Sequence, residues 1–409
     1  MKNSSVNIKS VTNINIIGGG RWARVILEVI CRVVDKSVKI SVYSKNNSIG
    51  MSDWVSSKKI GDNIQVFKDL PNKFSTDTNA VIVVNAARDH EDFILSALKA
   101  GGDLLVEKPI TLSYESGKKM ATVAKDLNRH LTSAHVFLFA TYFINFSKLV
   151  LNAGKISRIN IHWEDPGVED RYGEKKLYDS SLPVFSDWLP HVLSMISAIA
   201  PGKDYIFLSI DVERGGASVS IDILVGDIPC RIILTRNGKL RKRNMDVYTE
   251  TKVLKLDFSK EPGTIYDGTN EIAGDNEWKI SQSPLESMLS TFLKGVSEKV
   301  FDERLNLEIG LKALKIIDSV MVEYRKKQIL WLIEELNSQT SKLSQIAVNK
   351  NLFYALSEIF QSTSYISTKE LGNKIERFLS KINDLSGKGI LELLKKENTN
   401  DSIAQLEKI

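Results

Sequence analysis

The chain has 409 residues, 43% of them hydrophobic and 26% charged, an ordinary globular composition that is too long for one core, so two or three domains with a cleft between them are expected. Lysine and arginine number 55 against 50 acidic residues, and a net charge of +5 creates no field suited to a polyanion, so no nucleic-acid partner is expected. Cys31 and Cys230 are far apart, without paired or metal-ligand spacing, which speaks against disulfides and metal sites and fits a reducing cytosol. Residues Met1 to Ser5 lack the apolar core of a signal peptide, and the most apolar later stretch, Val136 to Phe146, is too short to span a bilayer. The expectation is a soluble, cytoplasmic protein with no membrane contact.

From about Asn13 to Ala134, short β-branched runs alternate with helical patterns. The runs are Ile14 to Ile17, Val38 to Tyr43, Ile64 to Phe67, Val81 to Val84, Asp103 to Val106 and Leu131 to Ala134. This alternation predicts an α/β fold with a parallel, doubly wound Rossmann-type sheet over residues 1–134. The run Val81 to Val84 is apolar at every position and belongs near the sheet centre.

Beyond about Arg158, longer strands follow without intervening helices, at Arg158 to Trp163, Tyr205 to Val212, Ala217 to Val225, Ile228 to Leu234, Met245 to Thr249 and Val253 to Phe258. Helical stretches at Asp187 to Ile199, Pro284 to Lys299 and Leu307 to Lys326 complete an α+β domain over residues 135–328, with a mostly antiparallel open sheet. The basic run Arg236 to Arg243 surrounds Asn237-Gly238, a two-residue hairpin signal, and reads as a solvated hairpin edge. Residues 329–409 read as a helical C-terminal extension, with Ile329, Leu332, Ile333 and Leu336 on one face and Ile375, Phe378, Leu379, Ile382 and Leu385 on another. A cap on the body is favoured over a partner surface, though a contact through these helices is the alternative.

The segment Gly18-Gly19-Gly20-Arg21-Trp22-Ala23 follows the first strand and opens a helix with Val25, Ile26, Val29 and Val33 on its apolar face. It fits G-x-G-x-x-A in the context that a dinucleotide requires. Gly18 allows the tight turn, Gly20 lets the backbone approach a pyrophosphate, and Ala23 lets the helix pack close to the sheet. The second strand ends Tyr43-Ser44-Lys45 without an acid to hold the ribose hydroxyls of NAD. With Ser44 as a donor, Lys45 as a charge and Arg21 on the adenosine side, NADP is the preferred cofactor and NAD the alternative.

The tripeptide Glu107-Lys108-Pro109, after the strand that follows Gly101-Gly102, resembles the E-K-P motif of the Gfo/Idh/MocA oxidoreductase family. His90 at the start of the preceding helix, Ser133 to Phe139 beside that family's G-H-x-F-L segment, and Asp187-Trp188-Leu189-Pro190-His191 beside its D-x-x-P-H agree in order and spacing. The resemblance covers residues 12–325 and leaves the C-terminal tail unmatched. It implies that Trp22, Glu107 and Lys108 lie with Gly18, Gly20, Arg21, Ala23, Ser44 and Lys45 at the cofactor. It also implies that Lys108, Asp187 and His191 form the catalytic set, with a cis bond before Pro109, and that the chain forms a homo-oligomer.

On a helix Asp187 and His191 share one face, so the carboxylate can orient the imidazole. His191 would then exchange the proton of a carbinol while Lys108 stabilises charge on the same oxygen. Ala134, Ala140-Thr141 and Val192 depart from the family pattern at its glycine, its proline and its acid, which leaves the substrate undefined. The loop Glu164 to Lys176, with Arg171 and Tyr172, reads equally as a cleft lining and as a solvated loop. His135 reads as a candidate or a buried histidine; His130 and His162 read as structural.

The leading expectation is an NAD(P)-dependent oxidoreductase of carbohydrate metabolism that acts on a sugar or nucleotide sugar. One alternative is an NADPH-dependent reductase of a cyclic imine; another is a non-catalytic dinucleotide-binding sensor or scaffold.

Overall fold

The computed structural model describes residues 11–74, 79–166, 170–171, 174–175 and 182–338, a helix at Thr368–Lys381, and positions 356, 389, 392, 393 and 396. In chain order the N-terminal elements are β1 (Asn13–Ile17), α1 (Arg21–Val33), β2 (Lys39–Tyr43), α2 (Ser48–Lys58), β3 (Ile64–Phe67), β4 (Asn79–Val83), α3 (His90–Lys99), β5 (Asp103–Val106), α4 (Tyr114–Asp126) and β6 (Leu131–Ser133). All strands of this sheet run parallel, in the order β3-β2-β1-β4-β5-β6. Every residue of β4 and β5 is buried, because helices cover both sheet faces and no alternate position meets water. Helix α1 turns Ala23, Val25, Ile26, Leu27, Val29, Ile30 and Val33 inward.

A short turn at Val136–Phe139 and helix α5 (Thr141–Leu151) lead into the second layer. Its elements are β7 (Ile156–Pro166), the two-residue strands β8 (Asp170–Arg171) and β9 (Glu174–Lys175), α6 (Val184–Ile199), β10 (Tyr205–Glu213), β11 (Ser218–Val225), β12 (Ile228–Gly238), β13 (Lys242–Thr249), β14 (Val253–Asp257), β15 (Thr264–Asp267) and β16 (Asn270–Ala273). The large sheet has the order β10-β11-β12-β7-β13-β14-β15-β16 and is antiparallel except where β12 runs parallel to β7. Along β7 the side chains of Ile159, Ile161, Trp163 and Asp165 are buried, the period of two that a sheet with one covered face demands.

The expected hairpin at Asn237-Gly238 does not form. Strands β12 and β13 lie on opposite sides of β7, so the segment between them crosses the end of that strand. The Asn-Gly signal is local, whereas the pairing of β12 with β7 fixes the strand order, and Asn237 keeps only the positive φ of 55°. Nor is the basic run a solvated edge throughout: Arg236 and Arg243 are buried, and Arg243 forms a two-pronged ion pair with Asp165 at 2.7 Å.

Helix α7 (Pro284–Glu298) starts with a capping box, in which Ser283 and Glu286 satisfy each other's backbone N–H groups. Helix α8 (Leu307–Ser338) packs against α4 and β6 of the parallel layer and against α6 and β10 of the second, joining the two. It runs through residues 328–329 without a break and buries Ile329 and Leu332. Ile333 is half-buried, and in α9 (Thr368–Lys381) Ile375 and Phe378 are buried; the remaining apolar positions proposed for the tail, Leu336, Leu379, Ile382 and Leu385, have side chains outside the described residues. Among the described residues no helix is long and apolar enough to cross a membrane.

His135 lies just beyond β6 and is fully buried, with neither ring nitrogen hydrogen-bonded among the described residues. Burial pushes its pKa down from 6.5 to about 4. The unfolded chain therefore takes up this proton first as the pH falls, and the stability present above pH 6.5 drains away towards pH 4. His135→Leu is expected to remove up to about 3 kcal/mol of that acid sensitivity. Thermal midpoints measured from pH 7 to 4 check this; parallel curves for wild type and variant would refute it.

Candidate functional site

The glycine turn follows β1 and is pinned between two neighbouring strand ends. Gly18 N donates to Tyr43 O at 2.9 Å, and Val84 N donates to Ile17 O at 2.8 Å. Gly18 has φ 148°, a conformation that suits glycine. A Cβ on Gly19 would stand 2.0 Å from Ser44 Oγ, so the middle glycine is sterically required as well. The G-x-G pattern treats that position as variable, and the run of three glycines was the only sequence signal for it.

Ser44 is buried; its Oγ accepts from Asn47 N, and Asn47 Nδ2 donates to Gly19 O at 2.7 Å. The two residues brace the glycine turn. Lys45 is exposed at the same bend, and Arg21 is half-buried at the start of α1.

Gly20 differs from its neighbours in that a Cβ there would meet nothing within 4 Å. The space in front of it adjoins the N-terminus of α1, which has no side-chain cap and no acid in its first turn. Backbone N–H groups and the positive end of the helix dipole thus face an opening that glycine leaves clear, the requirement for a pyrophosphate. Ala23 is fully buried, which keeps the helix close to the sheet.

A second turn follows β5. Glu107 N donates to Val83 O, and its carboxylate spans two elements: Oε1 accepts from Trp22 Nε1 at 2.7 Å and Oε2 from Lys108 N at 3.2 Å. Burial raises the pKa of Glu107, opposed by the Lys108 charge and the Trp22 hydrogen bond. The Lys108–Pro109 bond is cis.

Lys108 Nζ donates to the Asp187 carboxylate and, at 3.0 Å, to the Asp187 backbone carbonyl. The carboxylate that helical spacing offers to His191 is therefore engaged by the lysine, a contact between residues 79 positions apart. One turn further along α6, the half-buried His191 ring stacks on Trp163, with centroids 6.0 Å apart and planes at 10°, and meets Phe137 edge-on at 5.2 Å. The Arg243 guanidinium lies 4.3 Å from the Trp163 ring centroid.

Sequence reasoning did not single out Asn85, just past β4 and between the two turns. Both polar atoms of its side chain are buried without a hydrogen-bond partner among the described residues. An orphaned amide beside a clear glycine cradle fits a polar ligand, and together they suit the two ends of a nicotinamide dinucleotide. Of the loop 164–176, Glu164 Oε1 accepts from Lys239 N at 2.9 Å and Asp165 holds Arg243. Tyr172, Lys176 and the side chain of Arg171 lie outside the described residues.

Residues 12–135 match the oxidoreductase family with an NAD-binding Rossmann fold, Gfo/Idh/MocA. Human (Homo sapiens) biliverdin reductase A is 24% identical over 159 residues, 37% of this chain and 51% of that protein, so the match spans about half of the relative's length. Among solved structures, UDP-N-acetylglucosamine 3-dehydrogenase from Acidithiobacillus ferrooxidans aligns at a TM-score of 0.61 and 15% identity, over 78% of this chain and 99% of its own. A 3-ketoreductase from Actinomadura kijaniata, in complex with TDP-benzene and NADP, aligns at 0.61 and 15%, over 76% and 96%. At these identities the structural likeness is one of fold.

Gly20→Val separates fold from cradle, because its backbone is extended (φ −88°, ψ −174°) and its side chain would enter open space. The variant is expected to melt near the wild type while its dinucleotide Kd rises about tenfold or more. Calorimetric titration with NADPH checks this; an unchanged Kd would place the pyrophosphate elsewhere.

Proposed function

We propose that this chain, whose residues 12–135 belong to the Gfo/Idh/MocA oxidoreductase family, is an NAD(P)-dependent oxidoreductase acting at a hydroxyl or ketone carbon of a sugar or nucleotide sugar. The observation that carries this reading is the Lys108–Asp187 pair, fastened through Glu107 and Trp22 to the helix that opens behind the glycine turn. An ammonium group and a dinucleotide cradle share one frame. On this reading residues 1–134 hold the cofactor, residues 135–328 hold the substrate and the contact between subunits of a homo-oligomer, and residues 329–409 are an extension. The absence of an acid at the end of β2, with Lys45 exposed there and Arg21 nearby in the glycine turn, favours NADP over NAD.

When bound, the nicotinamide supplies or takes up the hydride. Lys108 Nζ donates a hydrogen bond to the reacting oxygen and stabilises the charge that grows on it. Asp187 accepts from that amine and aims it. His191, its ring oriented by Trp163 and Phe137, moves a proton to or from the same oxygen.

Lys108→Ala and His191→Ala are each expected to lower kcat by roughly a hundredfold to ten-thousandfold, with dinucleotide binding kept within about threefold. The check is NADPH oxidation or NADP reduction at 340 nm with a panel of nucleotide sugars and their keto forms. Turnover unaffected by either change would remove these residues from the chemistry.

A further inference from the structure

His90 begins α3 and is 1% exposed, outside the set of residues assigned to cofactor or chemistry above. Its ring lies between two segments at the edge of the parallel sheet. Nδ1 is 2.9 Å from Pro109 O, and Nε2 is 3.1 Å from Asn85 O. Both neighbours are carbonyl acceptors, one on the turn that carries Lys108 and the other on the residue with the orphaned amide. Burial holds the imidazole pKa down, so the ring is neutral and carries one N–H. We assign that proton to Nδ1, the nitrogen with the shorter contact, where it is donated to Pro109 O.

We propose that His90 is a positioning residue that sets the height of the Lys108 turn by tying Pro109 O to the start of α3, and so fixes the backbone from which Lys108 Nζ reaches into the site. This inference rests on the oxidoreductase reading for its kinetic consequence, but its geometry is independent of it. Lys108 reaches Asp187 from a backbone that Glu107 holds on one side and His90 on the other. Loss of the Pro109 tether frees the second side, and an error of about an ångström at a reacting group is enough to slow a reaction severely.

Two measurements test the role. The first is mass-spectrometric labelling of Lys108 by acetic anhydride with no dinucleotide present, on wild type, His90→Phe and His90→Gln. The phenylalanine variant keeps the ring and loses the tether, and Lys108 is expected to label several times faster as its pairing with Asp187 loosens. The glutamine amide can donate to Pro109 O and is expected to bring labelling back towards the wild-type rate. The second is a kinetic cycle: His90→Phe lowers kcat about tenfold in the wild-type background and adds no further loss in a Lys108→Ala background. Unchanged labelling in both variants, or equal loss of kcat in both backgrounds, would overturn the proposal. Wild-type protein without any turnover would instead sink the oxidoreductase reading, and the labelling arm would still decide for or against His90.

Discussion

The Glu107 carboxylate is the joint on which the arrangement of the site depends. Its two oxygens accept from Trp22 Nε1, 85 residues away, and from Lys108 N, the adjacent residue. A carboxylate drawn out of water without donors would be expensive; here two donors and a neighbouring ammonium work against the burial that raises the Glu107 pKa. Because one rigid planar group holds both turns, the glycine cradle and the lysine cannot drift independently. The positive end of α1 and the Lys108 amine are delivered as a unit.

Topology makes that joint possible. In a parallel sheet the strand ends β1, β4 and β5 open on the same edge, so the glycine turn, Asn85 and the Lys108 turn converge without any long loop. Helix α6 supplies Asp187 and His191 from the second layer, and α8 bridges the layers, which keeps a contact spanning 79 residues in register. The buried Arg243–Asp165 pair supports Trp163 from the sheet and with it the plane of the His191 ring. Breaking one member of such a pair leaves an uncompensated charge, so this support is stiff.

The parallel layer was legible in the sequence because its signals are local and repeated: β-branched runs at strand length, helical periods between them, and glycines at a strand-to-helix junction. Motif order is what singles out Lys108 and His191 in the sequence. Other features depend on contacts that no local pattern encodes. The need for Gly19 arises from Ser44 Oγ, and Asn85 is marked only by the burial of its amide without a hydrogen-bond partner among the described residues. The Asn237-Gly238 pair carried a true turn signal, expressed as one positive φ, but β7 lies between the strands it should have joined. Helical spacing puts Asp187 on the face of His191, but it cannot show that Lys108 arrives from another layer to bond the same carboxylate.

The most direct measurement is a fluorescence titration of the full chain with NADPH and with NADH, exciting tryptophan and reading energy transfer to dihydronicotinamide. Trp22 lies against the cradle, so binding there brings donor and acceptor together. Saturable transfer with both ligands, stronger for NADPH and weakened for it by Lys45→Glu, is the expected result. Absence of saturable transfer with either ligand, matched by calorimetry without binding heat, would contradict a dinucleotide site at the glycine turn.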